Sequence, residues 1–462
     1  MMYKFNYKEN KNLANLLPFI DEVYVKSVIS TDESDKNNKK QAKLPQKAAA
    51  KYPLNLQNTL RERWGDWYVP LLSFQNDLNK FKRKLPTFYR VKAVGFGVYL
   101  EQATSEFIAR WKAKQFTAKT MVSLTGGLGV DDWAWASTDC DVYSFDPNES
   151  LNFWSTLNFD RLGVDHKIQR INQTAEWALE NWVQWQTEDF VDVIYIDPDR
   201  RPNTNSNNST VRIITDVNQY NPNVFELYKN HKLKANQWLI KLSPMVDIHW
   251  FQKQIGEPVK AYSVCAGKEV KEILVVLPGQ QSFTQKNIIE KEMVNISEYS
   301  ADLFTHFYSM AGSSTNLKEG IETTIQSKLS INSNSMEVSK IQPSQTLLFE
   351  PHAGLFALGL NRQLSELPGV STLGNYSFFI TPNLWPKTLG RTLIVNHIFN
   401  GSLREIGRKL KENNLFKITI TARNCGIKTA DLIKQLGTKE NHLLHGFIYK
   451  DEYGFTLYIG TI

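Results

Sequence analysis

A glycine-rich stretch followed by a carboxylate contains the residue types best suited to chemistry in this 462-residue sequence. The segment Met121–Asp146 reads MVSLTGGLGVDDWAWASTDCDVYSFD, in which an apolar run meets Thr125-Gly-Gly-Leu-Gly129 and a second run ends on Asp146. Glycines let backbone approach a ligand, and a terminal carboxylate accepts hydrogen bonds from ribose hydroxyls. The pattern predicts a nucleotide-type ligand, although an ordinary tight turn between strand and helix would look similar.

The residues that open the next helix bear on the kind of nucleotide. Asp131 and Asp132 follow Gly129, so two carboxylates lie at a helix N-terminus, where they suit the macrodipole. They would repel the pyrophosphate that a G-x-G-x-x-G turn binds in NAD enzymes. A ligand with an amino group and no phosphate, such as S-adenosylmethionine, therefore fits better than the cofactor of a dehydrogenase.

A second motif, YIDPDRRP, ends another apolar run. In an open parallel sheet, ligands bind at the carboxyl ends of the strands, which would bring Asp197 to the same edge as the glycine turn. A carboxylate followed by Pro198 gives a rigid turn whose oxygens can accept hydrogen bonds from an amine. The alternative is an Asp-Pro turn that ends a strand and has no chemical role.

The elements that must position these motifs alternate between strand and helix patterns, which predicts a parallel sheet with right-handed crossovers. An amphipathic pattern over residues 98–116 predicts one helix before the first strand. The last two strand patterns predict an antiparallel hairpin that closes the sheet. The expected strands are Met121–Leu124, Val142–Phe145, Lys167–Ile171, Val191–Ile196, Gln237–Leu242, Ala261–Val264 and Glu272–Leu277.

Composition limits the class of protein. Hydrophobic residues make up 42% of the chain, which is typical of a globular protein, and no run approaches the ~20 apolar residues of a membrane span. Cys140, Cys265 and Cys425 are too scattered for a disulfide framework or a zinc site, so we expect no metal. The first residues lack an apolar signal core, so we expect a cytoplasmic protein. A formal charge of +7 is compatible with nucleic acid and equally with simple solubility.

The motifs together resemble those of a known family. TGGLGVD, SFDP, INQTA and YIDPDRRP are similar to the motifs of class I S-adenosylmethionine-dependent methyltransferases. More narrowly, LEQATSEFIARWKA and FEPHAGLFALGL resemble a bacterial methyltransferase-like family with a ferredoxin-like segment and a C-terminal THUMP-like domain. The methyltransferase part of that family is similar to trimethylguanosine synthase-like RNA enzymes. The resemblance extends from about Leu85 to the end of the chain.

The resemblance implies an α/β fold, with a Rossmann-like class I methyltransferase sheet, an N-terminal helical region and a C-terminal α+β THUMP-like module. Residues 1–88 would form the helical region and 89–282 the methyltransferase domain. Residues 283–387 would form a linker or insertion with the ferredoxin-like segment, and 388–462 the THUMP-like domain.

The resemblance also implies S-adenosylmethionine as the cofactor and assigns roles to residues. Thr125, Gly127 and Gly129 match the turn that approaches the methionine and ribose. Asp146 matches the acid that binds the ribose hydroxyls. Thr174 stands where many class I enzymes have an Asp that binds the adenine amino group.

The expected acceptor is RNA, at a base nitrogen. Asp197 and Pro198 match the start of the DPP(Y/F) tetrapeptide of amino-methyltransferases and would be the catalytic residues. The aromatic residue of that tetrapeptide is missing. Instead, Arg200 or Arg201 would stack on a base or bind phosphate. Alternatively, these arginines pair with nearby acids, namely Asp192, Asp199 or Glu188.

A basic helix pattern supplies the remaining candidate RNA contacts. SLREIGRKLKEN, over Ser402–Asn413, carries Arg404, Arg408 and Lys411, which suit phosphate contacts but would also suit a solvated helix face. The expected function is methylation of RNA at a base nitrogen. The alternative is a catalytically inactive, RNA-binding methyltransferase fold, because Ser123 and Thr174 replace acids of the family pattern.

Overall fold

The computed structural model describes residues 62, 68–95, 97–200, 216–281, 289–296, 306–310, 346–385, 387, 389–440 and 443–462. The described residues fall into two compact units. The first unit comprises the described residues up to Leu242 and those within 275–286. The second unit comprises the described residues within 243–274, 287–297 and 304–462.

Helices and strands alternate along the first unit. Its helices are α1 (Tyr68–Lys84), α2 (Pro86–Arg90), α3 (Gly97–Gln102), α4 (Glu106–Gln115), α5 (Val130–Ala136), α6 (Glu149–Leu162), α7 (Ala175–Glu180) and α8 (Val224–His231). Its strands are β1 (Thr120–Ser123), β2 (Asp141–Phe145), β3 (Ile168–Ile171), β4 (Val191–Ile196) and β5 (Ala235–Leu242). Short 3-10 turns lie at Trp182–Gln184, Val217–Gln219 and Lys232–Lys234.

Strand β1 lies at the centre of a parallel sheet. It pairs with β2 on one side and β4 on the other, β2 pairs with β3, and β4 pairs with β5, which gives the order β3-β2-β1-β4-β5. Strand β4, VDVIYI, is buried over nearly its whole length, as expected for a strand covered on both faces. The chain crosses to opposite sides of β1, which opens a crevice at the carboxyl ends of the strands. The predicted parallel α/β sheet is confirmed.

The prediction of a single helix over residues 98–116 is wrong, because the chain forms two helices there, α3 and α4. Ser105 separates them in an extended conformation, with φ −71° and ψ 148°. The buried Glu106 accepts hydrogen bonds from the backbone N–H and the hydroxyl of Thr87, at 2.7 and 2.5 Å. This long-range contact fixes the start of α4 and overrides a continuous helical pattern.

The second unit carries the remaining elements. Its helices are α9 (Ile248–Ile255), α10 (Ala353–Ala357), α11 (Leu403–Glu412) and α12 (Thr429–Leu436), with a 3-10 segment at Leu360–Glu366. Its strands are β6 (Val259–Ala266), β7 (Glu269–Pro278, shared with the first unit from Val275), β8 (Ile289–Ile296), β9 (His306–Met310), β10 (Leu347–Pro351), β11 (Ser371–Leu373), β12 (Phe378–Thr381), β13 (Gly390–Gly401), β14 (Thr419–Ala422), β15 (His445–Asp451) and β16 (Gly454–Thr461). Neighbouring β6 and β7 are joined by two residues, a connection that only an antiparallel pair allows, so the predicted hairpin is confirmed. The expectation that this hairpin closes the sheet is wrong, because β8 pairs with β6 in parallel and β9 pairs with β8 beyond it.

Strands β10 to β16 form a seven-stranded sheet in the order β11-β12-β10-β13-β16-β15-β14. Only the β14–β15 pair is parallel in it. Helices α11 and α12 pack together against this sheet, and a Cβ on Gly407 would lie 3.1 Å from the carbonyl oxygen of Leu436. An α+β module is therefore present, while its THUMP-like identity stays a prediction.

Some predicted features lie outside the described residues. These are Arg201, most of the predicted helical region over residues 1–88, and part of the predicted linker or insertion over 283–387. Within the described ranges, no helix combines the length and the apolar character needed to cross a bilayer.

Candidate functional site

The glycine turn joins β1 to α5 at the carboxyl edge of the first unit's sheet. Gly127 and Gly129 have φ of +52° and +79°, in the left-handed region that favours glycine. A Cβ on Gly126 would lie 1.9 Å from Arg170 Nη1, whereas one on Gly127 would meet nothing closer than 3.9 Å. Packing therefore explains why residue 126 must be a glycine, while the open space beside Gly127 suits the approach of a ligand.

Asp146 follows β2 and is joined directly to this turn. Its Oδ2 accepts a hydrogen bond from the Gly127 N–H at 2.9 Å, and its Oδ1 accepts one from the Asn148 N–H at 2.9 Å. The side chain remains 12% exposed. Because a carboxylate oxygen can accept more than one hydrogen bond, Asp146 keeps the capacity to bind hydroxyl groups.

Arg170 on β3 supports the turn from inside the fold and was not predicted from the sequence. Its side chain is 1% exposed. The guanidinium donates to the Gly127 carbonyl at 2.8 Å, Ser144 Oγ at 2.7 Å, Asp132 Oδ2 at 3.2 Å and Asn152 Oδ1 at 2.6 Å. The alternation of a strand, which places Arg170 on the same face as the buried Ile168, was the signal that could have identified it.

Two adjacent carboxylates at the start of α5 each pair with a cation. Asp132 contacts Arg170, and Asp131 Oδ1 lies 2.7 Å from Nζ of the fully buried Lys112. Burial raises the pKa of Asp132 to about 6, and Arg170 offsets only part of this effect. Burial also acts to raise the pKa of Asp131, but Lys112 and Lys241 lower it more, so the net pKa lies below its usual range. Contrary to the expectation from the sequence, neither carboxylate is an unpaired charge that would repel a pyrophosphate.

Asp197 lies at the end of β4, next to the glycine turn. Its backbone N–H donates to Thr125 Oγ1 at 2.7 Å, and Pro198 is buried behind it. Its carboxylate is 34% exposed, and Oδ2 accepts a hydrogen bond from Lys241 Nζ at 2.5 Å. Lys241 was not predicted from the sequence, although it is the lone charged residue in the apolar run at the carboxyl end of β5.

The other predicted residues of this unit lie on nearby turns. Thr174 is exposed and caps α7, because its Oγ1 accepts a hydrogen bond from the Trp177 N–H at 3.2 Å. Its hydroxyl hydrogen can still be donated to a ligand. Arg200 is half-buried, and the preceding Asp199 exchanges two backbone hydrogen bonds with Asn221, at 2.7 and 3.0 Å.

The predicted basic helix is α11 of the second unit. Ser402 and Glu405 form a capping box at its start, and its apolar face packs into the core of that unit. Arg408 pairs with Glu412 at 3.7 Å, but both side chains are largely exposed, so the pair contributes little to stability. The three predicted RNA contacts are all exposed, namely Arg404, Arg408 and Lys411. Both a phosphate-binding helix and a solvated face require this exposure.

Two further chemically suggestive residues have structural roles. His352 caps α10 by accepting the Gly354 N–H at 3.1 Å, and its Nε2 lies 2.8 Å from the Gly267 carbonyl oxygen. Burial raises the pKa of the Cys265 thiol to about 12, which makes it unreactive. Among the described residues, no group of three His, Cys, Asp or Glu side chains is arranged to hold a metal ion.

The chain matches one solved structure over nearly its whole length. It aligns with a candidate methyltransferase from Porphyromonas gingivalis W83 at a TM-score of 0.65 and 16% identity, over 96% of this chain and 98% of that one. At that identity the match shows a shared fold. An rRNA methylase from Streptococcus thermophilus has a TM-score of 0.27 at 15% identity, over 37% of this chain and 94% of its own, which is too low to support any inference. No protein-family model and no curated protein matches the chain.

Proposed function

We propose that this chain is an S-adenosylmethionine-dependent methyltransferase that acts on RNA at a base nitrogen. The observation that carries the proposal is the hydrogen bond between Asp146 and the open glycine turn, on the fold of a candidate methyltransferase. A second carboxylate, Asp197, ends a strand at the same edge of the sheet and is linked to that turn through Thr125. The two carboxylates provide one group for a nucleoside and one for an acceptor.

The cofactor would lie against the turn and Asp146. Gly127 leaves open space for the backbone to approach, and Gly129 holds the left-handed conformation that lets α5 begin. Asp146 would accept hydrogen bonds from the ribose hydroxyls. Thr174, exposed at the start of α7, would donate its hydroxyl hydrogen to the adenine ring.

The residues beside the cofactor have limited chemistry to perform. S-adenosylmethionine supplies a methyl group on a sulfonium, which is already a strong electrophile. The protein must therefore align the acceptor and exclude water. Asp197 and the carbonyl of Pro198 would accept the N–H bonds of a base amine, which localises the nitrogen lone pair. As the new N–C bond forms and the S–C bond breaks, Asp197 would take the proton that the nitrogen loses.

The contact between Lys241 and Asp197 favours a second acceptor, a ribose hydroxyl. A hydroxyl must lose its proton when it is methylated, so negative charge develops on its oxygen. The Lys241 ammonium, 2.5 Å from Asp197, would stabilise that charge, and the carboxylate would receive the proton. A base amine would instead have to share Asp197 with Lys241.

Transfer of labelled methyl groups to fractionated cell RNA tests the proposal. After digestion to nucleosides, separation of base from sugar shows which acceptor carries the label. Label on a base supports the first acceptor, and label on ribose supports the second. Wild-type protein that binds cofactor and RNA but transfers no label would match the inactive RNA-binding alternative. The Asp197→Asn variant serves as the negative control for methyl transfer.

A further inference from the structure

A carboxylate and two arginines form a cluster in the second unit that the proposed methyl transfer does not use. Glu350 on β10 is 3% exposed and lies directly opposite Arg391 of β13 in the antiparallel register. Arg391 Nε donates to Oε2 at 2.6 Å. Arg423, which follows β14, donates from Nε to Oε1 at 2.9 Å, and its Nη2 lies 2.9 Å from the same oxygen. Each carboxylate oxygen thus holds one arginine.

Both guanidinium groups are fixed in orientation by further contacts. Arg391 Nη2 donates to Thr421 Oγ1 at 2.7 Å, and its Cζ lies 5.1 Å from the centre of the Phe447 ring. The Arg423 Cζ lies 5.4 Å from the centre of the Phe356 ring. Side chains that are already ordered lose little entropy when they bind a ligand, so this arrangement is preorganised.

The cluster carries more positive than negative charge. One carboxylate faces two guanidiniums, which leaves a net charge of +1. Arg391 and Arg423 are 26% and 41% exposed, while the carboxylate between them is buried. Both contact Glu350 through Nε and Nη2, so the two Nη1 amino groups lie outside that contact, and no described residue accepts from them.

We propose that Arg391 and Arg423 form a binding site for a phosphodiester of the RNA backbone. The planar guanidinium matches the geometry of phosphate oxygens, and the single excess positive charge matches the single negative charge of a phosphodiester. The proposal rests on RNA being the substrate. It adds a place in the second unit where the backbone is held, and such contacts position RNA without reading its sequence.

The salt dependence of RNA binding tests this site. The full chain is titrated into a fluorescein-labelled single-stranded RNA of mixed sequence, and fluorescence anisotropy gives the Kd at several salt concentrations. Arg423→Gln leaves Glu350 paired with Arg391 and removes the excess charge. The Kd is expected to rise about tenfold, as for loss of a hydrogen bond to a charged group. The log–log slope should flatten by about 0.7, the value for one phosphate contact on a single strand.

Two matched variants make the result specific. Lys253→Gln removes an exposed charge from α9 of the same unit and is expected to leave the Kd and the slope unchanged. Arg423→Lys keeps the charge beside Glu350 and is expected to restore the slope. A wild-type slope in Arg423→Gln overturns the proposal, and so does a slope that stays flattened in Arg423→Lys, because that would reflect an altered fold.

Methyl transfer separates this proposal from the proposed function. If the wild type methylates RNA and Arg423→Gln binds RNA as the wild type does, the methyltransferase stands and the phosphate site is rejected. If the wild type binds no RNA at low salt, the RNA substrate fails, and the phosphate site fails with it.

Discussion

The two sides of the crevice in the first unit hold their carboxylates in different ways. On the β2 side, Asp146 accepts hydrogen bonds from two backbone N–H groups, which cannot move away without unfolding the turn. On the β4 side, Asp197 accepts its hydrogen bond from the flexible side chain of Lys241. A carboxylate held by backbone suits permanent recognition of a ribose. A carboxylate held by a lysine can exchange partners, which suits an acceptor that arrives, loses a proton and leaves.

Replacement of the carboxylate on the β4 side should have the largest effect. Asp197→Asn is expected to lower the rate of methyl transfer by about 10²–10⁴-fold, the usual contribution of a proton-accepting group, while the Kd for cofactor stays the same. Single-turnover kinetics and calorimetry measure the two quantities. An unchanged rate on a verified acceptor would remove Asp197 from the chemistry.

Replacement of Arg170, which lies beneath the glycine turn, should have the second-largest effect, and it should lower stability. Arg170→Met leaves Asp132 buried without its cation, and loss of one partner of a buried pair costs about 3–5 kcal/mol in the free energy of unfolding. Urea denaturation measures the change. Lys167→Met, which breaks the pairs of Lys167 with the exposed Asp139 and Asp141 just before the same strand, is the matched control and should change stability little. Equal stabilities of the two variants would show that the turn does not depend on Arg170.

The pH dependence of the free energy of unfolding should reveal the raised pKa of the buried Asp132. Its folded pKa is raised from 3.8 to about 6, so the stability that it contributes is fully present below pH 3.8 and is lost as the pH rises to about 6. From the size of the shift, the free energy of unfolding should fall by up to about 3 kcal/mol over that window. The difference between wild type and Asp132→Asn isolates this contribution. A difference that is flat with pH would contradict it.

Replacement of the carboxylate on the β2 side should have the smallest effect and act on binding alone. Asp146→Ala is expected to weaken cofactor binding by about 1.5–3 kcal/mol, the loss of hydrogen bonds to a charged group. At saturating cofactor, the methyl-transfer rate should stay close to that of wild type. A variant with normal affinity and reduced rate would reverse the roles assigned to the two sides.

Contacts within one local unit could be predicted from the sequence, whereas contacts that depend on how separate elements pack could not. The contact between Gly127 and Asp146 was predictable, because both lie in one strand–turn–helix–strand unit whose spacing is set locally. The sheet followed from the alternation of patterns. The contacts of Arg170 and Lys241 were not predictable, since their partners lie 38 and 44 residues away and depend on strand order. Lys112, by contrast, is close to Asp131 in the sequence, but their contact depends on how α4 packs against α5, so the carboxylate of Asp131 looked free from the sequence alone.

The central claim is that the glycine turn and Asp146 bind S-adenosylmethionine. Because the carboxylates of α5 are neutralised within the fold, charge repulsion alone does not exclude a dinucleotide. Titration calorimetry of the wild-type chain with S-adenosylmethionine, and in parallel with NAD, tests the claim most directly. We expect saturable binding of S-adenosylmethionine and no heat of binding from NAD. Binding of NAD, or no binding of S-adenosylmethionine at high micromolar concentrations, would contradict the claim.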